Sequence, residues 1–182
     1  MIEKLENESK IDFKSGVDEI LTAIDQERER EIITRRFGLY DRRETLEQIG
    51  ELLGITRERV RQLEKAILTK LRTATDNGKI SAVSNLEKII IRKLTEIGRV
   101  AKVSDLADKL FDGTSNQRQR AQVAFVAELA PNLTVIDEND NYFHSIGIRE
   151  YGDDKKIRSE VDEIVAIIRK QGEPLTIEQL HE

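Results

Sequence analysis

Residues 45–72 read Thr45-Leu-Glu-Gln48-Ile49-Gly50-Glu-Leu-Leu53-Gly54-Ile55-Thr56-Arg57-Glu58-Arg59-Val60-Arg61-Gln62-Leu63-Glu64-Lys65-Ala-Ile67-Leu-Thr-Lys70-Leu71-Arg72. Two helices and a turn are legible in them. Thr45 and Gln48 have the spacing of a capping box that opens a short first helix. Gly54 falls where the chain turns tightly, which a residue without Cβ does cheaply. Thr56 can cap a second helix, with Glu58 in its first turn. Ile49, Leu53, Ile55, Val60 and Leu63 are spaced to hold the helices across one another, and Gly50 leaves room where they touch. At about 100° per residue, Val60, Leu63, Ile67 and Leu71 make one apolar stripe. Arg57, Glu58, Arg61, Gln62 and Lys65 share the opposite side. Arg can bond guanine, Gln adenine and Glu the cytosine amino group in a major groove. A solvated face laced with ion pairs has the same composition; the preceding helix and the glycine turn favour the reading face.

Thr56-Arg-Glu-Arg-Val-Arg-Gln-Leu-Glu64, preceded by Arg35-Arg-Phe-Gly-Leu39 and Thr45-Leu-Glu-Gln-Ile-Gly50, closely resembles region four of bacterial primary-type sigma factors. The resemblance spans residues 17–72. It implies docking on the upstream promoter element, with Arg57, Glu58 and Gln62 as base readers. Arg59, Arg61 and Lys65 would touch phosphate or an activator, and Thr45 and Thr56 complete the DNA-binding set. It also implies that the helix within 27–39 packs beneath the reader and faces the polymerase flap. The partners expected are therefore double-stranded promoter DNA and the RNA polymerase core, in the bacterial cytoplasm.

Composition narrows the class. In 182 residues, 36% are charged and 4% aromatic, which suits small helical modules better than a large sheet core. There is no cysteine, so neither a disulfide framework nor a thiolate metal site is expected, and no cofactor is implied. Apolar stretches are too short to span a bilayer, and the amino terminus does not read as a signal peptide. The net charge of −5 argues against a general nucleic-acid coat. A local basic face on an acidic chain instead suits specific duplex binding.

The expected architecture is mainly α. Residues 1–16 read as a polar tail and 17–73 as the sigma-like helix-turn-helix, with two helices before the reader pair, the second stopped by Gly38. Residues 74–84 read as a linker, most flexible at Asn77-Gly78. In 85–148, three helices precede a hairpin made of Thr134-Val-Ile136 and Tyr142-Phe-His-Ser-Ile146 around a turn-rich 137–141. Three helices and a hairpin make a winged helix, similar to the HARE type of the RNA polymerase delta subunit. Tyr142-Phe143-His144 stands where that family usually ends in an aromatic and a glycine. Gln117, Arg118 and Arg120, at the start of its third helix, form a candidate second DNA contact. Residues 149–156 read as a linker. Ile90, Leu94, Gly98, Val103 and Leu106 recur at one constant offset as Ile164, Ile168, Gly172, Ile177 and Leu180, so 157–182 reads as the start of a second, incomplete winged-helix repeat. Its apolar stripe calls for a cover, either the first winged helix or a homodimer through 157–171.

Other constellations fail on chemistry. Asp137, Asn139 and Asn141 mimic the opening of an EF-hand loop, but Tyr142 and Ile148 stand where it needs Gly and Glu. His144, in an expected strand, and the distant His181 make no metal site. Asp153-Asp-Lys-Lys156 lacks the third carboxylate of a nuclease cluster and reads as linker. No aromatic cluster precedes Val17, so the chain is not expected to melt a promoter alone, and no catalytic constellation marks it as an enzyme, although HARE-type modules are sometimes appended to DNA-modifying enzymes. The function that follows is a sequence-specific DNA-binding transcription regulator acting with RNA polymerase. The alternative is a protein-interaction module that occupies the polymerase flap without base readout.

Overall fold

Asp12 opens the first helix by accepting a hydrogen bond from the Ser15 amide (3.1 Å). The computed structural model describes residues 12–171. Helix α1 is Phe13–Thr22, α2 Glu27–Phe37, α3 Leu46–Leu53 and α4 Arg57–Asp76. Then come α5 Ser81–Ile97, strand β1 Val100–Lys102, α6 Val103–Leu110, α7 Gln117–Leu129, β2 Leu133–Ile136, β3 Ser145–Ile148 and α8 Asp154–Gln171. The strands form one antiparallel sheet in the order β1-β3-β2. The run α5-β1-α6-α7-β2-β3 with that strand order is a winged helix, and it follows the expected helix-turn-helix.

Several expected signals take their expected form. Gly38 and Gly54 end α2 and α3 in the left-handed conformation. α7 stops before Pro131, and it starts at an Asn116/Gln119 capping box that sequence reasoning passed over. β1 was not anticipated; a strand of three residues, Val100–Lys102, is too short to show a strand period. The hairpin strands lie slightly later than expected on their second arm. Asn139 Oδ1 accepts from the Asn141 and Tyr142 amides, keeping that segment a loop. Tyr142, Phe143 and His144 therefore precede β3 instead of belonging to it.

The linker expected over 74–84 is mostly helix. α4 continues to Asp76 and α5 begins at Ser81, so only residues 77–80 connect them. The polar run was misleading because its threonines bond back along the helix: Thr69 to the Lys65 carbonyl, Thr73 to that of Thr69, Thr75 to that of Leu71 (2.8, 3.0 and 3.0 Å). Ile80, Ala82 and Val83 are buried. The expected tail also ends early, since Phe13 is buried in α1; residues 1–11 lie outside the described residues. The linker expected at 149–156 is a single 3-10 turn over Arg149–Tyr151 followed by α8, whose first turn Asp153 caps through the Lys156 amide (2.9 Å).

Two apolar clusters hold the fold. The larger contains Phe13, Val17, Ile20 and Leu21 of α1, Ile33 of α2, Ile67 and Leu71 of α4, and the buried faces of α5, α6, α7 and the sheet. It runs across the boundary drawn from the sequence between the sigma-like and winged portions. The smaller is Ile32, Ile49 and Val60, flanked by Leu46, Leu53, Ile55 and Leu63. At the centre of the larger one lies α7, where Gln122, Val123, Ala124, Phe125, Val126, Ala127 and Leu129 are all buried. The Phe125 ring meets that of Phe37 from α2 at a centroid distance of 4.9 Å. Arg72 of α4 donates to the Glu128 carbonyl (2.8 Å) and pairs with its carboxylate (2.6 Å).

α8 docks through Ile157 on the sheet and is tied to the wing loop by Arg158, which donates to the Asp137 carbonyl and stacks on Tyr142. Beyond that, Val161, Ile164, Val165 and Ile168 remain half-exposed. The rest of the expected second repeat, with Gly172, Ile177 and Leu180, lies outside the described residues.

Candidate nucleic-acid interface

The turn between α3 and α4 is built from backbone contacts. Ile55 donates to the Gly50 carbonyl (2.9 Å), and a Cβ on Gly50 would stand 2.7 Å from the Ile55 oxygen. Only glycine lets α3 approach the turn that closely. Gly54 adopts φ of 65°, a conformation that costs an L side chain about 1–2 kcal/mol. Thr45 Oγ accepts from the Gln48 amide (3.2 Å), while Gln48 Oε1 accepts from the Thr45 amide (2.8 Å). Thr56 Oγ accepts from the Arg59 amide (3.1 Å). Each cap uses a hydroxyl oxygen as acceptor and leaves its hydrogen available to a phosphate.

Past Thr56, the amino-terminal half of α4 projects its polar side chains into solvent. Arg57, Glu58, Arg59, Arg61, Gln62 and Lys65 are all exposed, while Val60 beneath them is fully buried. Arg61 grips Glu58 through two hydrogen bonds (2.8 and 2.7 Å) and holds its carboxyl down at about 2. Gln62 also donates to Glu58 (3.3 Å) and accepts from Arg59 (3.4 Å). Among the described residues, the Arg57 and Lys65 side chains make no hydrogen bond or close ion pair, although the Arg57 charge helps hold the Glu58 carboxyl down. Thus one helix face carries the exposed cations Arg57 and Lys65, a mixed donor-acceptor cluster and a positive helix end.

Gln117, Arg118 and Arg120 occupy the first turn of α7, away from that cluster in sequence. Arg120 is engaged by Ser115 (2.9 Å) and stands 3.9 Å from Asp108. Gln117 and Arg120 line a cleft of about 600 Å³ shared with Arg36, Arg43, Asp137, Glu138 and His144. Arginines and carboxylates alternate around it, unlike the basic reading face. Sequence reasoning passed over Arg36 and Glu64, which bridge α2 and α4 at 3.2 Å; their separation along the chain leaves no local signal. It also passed over Arg28, which donates to the Leu53 carbonyl at the end of α3 (2.8 Å).

A capped helix-turn-helix with an exposed Arg/Gln/Glu face defines a DNA-binding transcription module. The comparisons with known proteins agree: residues 26–73 match the family model "Sigma-70, region 4". Over 64 residues the chain is 45% identical to RNA polymerase sigma factor RpoD of Helicobacter pylori, covering 34% of this chain and 9% of that protein. It is 45% identical over 61 residues to sigma factor SigA of a Bacillus species, covering 33% and 16% of the two chains. With SigA1 of Synechococcus elongatus it shares 51% identity over 51 residues, covering 28% and 13%. The chain therefore spans only a small fraction of the length of these relatives. No solved structure matches it. Among the described residues, no helix is long and apolar enough to cross a membrane.

Proposed function

We propose that this protein is a sequence-specific, promoter-directed DNA-binding regulator that works with RNA polymerase in the cytoplasm. The observation that carries this reading is the exposed polar face of α4 on a capped helix-turn-helix that matches sigma-70 region 4. In this reading Arg57, Glu58 and Gln62 contact base edges. Arg59, Arg61, Lys65 and the two capping threonines, Thr45 and Thr56, fix the register on phosphates. Contact with the polymerase core, at its flap, falls to the outer side of α2, where Glu27, Glu31 and Arg35 line an open groove with Tyr40 and Arg42. The inner side packs on α3, α4 and α7.

The winged portion resembles the HARE type in its order of elements. Its role in this reading is to carry the reader, with Gln117, Arg118 and Arg120 as a secondary phosphate contact at the start of α7. The stripe on α8 offers a homodimer contact through 157–171. A second function is favoured by one observation: Glu58, Arg61 and Gln62 already satisfy one another. On that reading the module binds the polymerase and modulates initiation without reading bases.

Selection of bound duplexes from a random pool, run beside retention of core RNA polymerase, separates the two. Enrichment of one short sequence is the expected result. Polymerase retention with no enriched duplex would replace the first reading with the second.

A further inference from the structure

A reading helix discriminates bases only if its rotation about its own axis is fixed, because a bidentate contact tolerates little error in direction. In this chain α2 supplies the bracket. Arg28 near its start donates to the last carbonyl of α3, and Arg36 near its end points Nε at both carboxylate oxygens of Glu64 (3.2 and 3.3 Å). Glu29 meets Lys70 at 3.7 Å, so the two α2–α4 pairs run in opposite chain order and the helices lie antiparallel. The bridge is the better shielded of the two: the Arg36 and Glu64 side chains are 23% and 18% exposed, against 68% for Lys70.

Glu64 lies on α4 at the edge of the stripe formed by Val60 and Ile67, flanking the face that carries Arg57 and Arg61. The apolar cluster at that end is small: among the described residues Ile32, Ile49 and Val60 are fully buried there, with Leu46, Leu53, Ile55 and Leu63 partly buried around them. Small apolar contacts resist separation but resist rotation weakly, whereas a planar guanidinium seated on a carboxylate fixes direction. We infer that Arg36 and Glu64 are positioning residues for base readout, a bridge that sets the azimuth of α4 and touches no DNA itself. The inference rests on the base-reading function proposed above.

A double-mutant cycle on the full chain tests it, using the duplex selected from the random pool and a scrambled duplex. Arg36→Gln and Glu64→Gln should each lower the ratio of specific to scrambled affinity by roughly tenfold, the ordinary scale of coupling between contacting residues. The double variant should lose about the same tenfold and no more, since either change removes the whole bridge. Scrambled-duplex affinity and its salt slope should stay as in the wild type. Losses that multiply in the double variant would overturn the inference. So would a loss of Arg36→Gln that is equal on both duplexes with a shallower salt slope, which marks a phosphate contact. A lowered melting temperature with an unchanged ratio would make the bridge merely structural. If Arg36→Gln does not fold, Glu64→Gln decides alone, and an unchanged ratio there contradicts the proposal. A wild-type chain that selects no duplex would instead refute the base-reading function.

Discussion

The two halves of α4 live in different surroundings. Its amino-terminal half buries Val60 against Ile32 of α2 and Ile49 of α3, with Leu46, Leu53, Ile55 and Leu63 partly buried around them, and turns six polar side chains to water. Its carboxyl-terminal half sinks Ile67 and Leu71 into a core shared with α1, α5 and α7, and Arg72 fastens it to the end of α7. One unbroken helix thus joins a lightly packed, exposed half to a heavily packed one. The short helix-turn-helix shares one continuous helix with the core of the portion that follows it.

The largest effect should come from the shared core. Phe125→Ala removes a fully buried ring that meets Phe37 and should cost about 3–5 kcal/mol. Denaturant unfolding followed by helicity and by duplex binding should then show both lost in one shifted transition. Duplex binding that outlasts the loss of helicity would mean that the two halves are independent.

Ile49→Ala probes the small cluster and should cost about 2–5 kcal/mol locally. Hydrogen exchange should show α3 and the start of α4 opening while α5 and α7 stay protected, with duplex affinity falling in parallel. Loss of protection throughout would erase the difference between the halves.

Arg57→Ala removes an exposed side chain. It should weaken the preferred duplex by roughly 1–3 kcal/mol, relax one base pair and leave the melting temperature unchanged. Equal weakening on scrambled DNA would make Arg57 a phosphate contact.

The smallest effect concerns the wing. Burial holds the His144 imidazole below its ordinary value, with Arg43 acting the same way and Asp137 and Glu138 opposing. The folded state therefore binds this proton less readily than the unfolded chain. The contribution is full above the ordinary histidine range near about 6.5 and is lost as pH falls through it toward the folded value. Melting temperature should fall slightly on acidification through that window, and His144→Gln should flatten part of the slope without changing duplex choice.

How much of this was legible depends on where each signal lies. The caps at Thr45 and Thr56 and the stops at Gly38 and Gly54 are local chemistry, and they set the helix ends seen in the fold. The exposed polar face of α4 was legible because its residues share one side of a helix. The burial of α7 had a signal that went unused: Val123-Ala-Phe-Val-Ala127 is apolar all round, and such a helix is covered on every side. Recurrence of a pattern did not bring recurrence of its surroundings. Ile90 and Leu94 are fully buried under neighbouring helices, whereas Ile164 and Ile168 stay 44% and 38% exposed. Pairings such as Arg36 with Glu64 or Arg72 with Glu128 join residues far apart in the chain, and no local pattern announces them.

Mapping amide shifts while the selected duplex is titrated into the labelled protein tests the central claim most directly, that α4 reads and α7 supports. The account predicts shifts at Thr45 and across residues 56–65, with residues 122–129 of α7 unmoved. Shifts concentrated along α7 and the wing, with 56–65 silent, would contradict it.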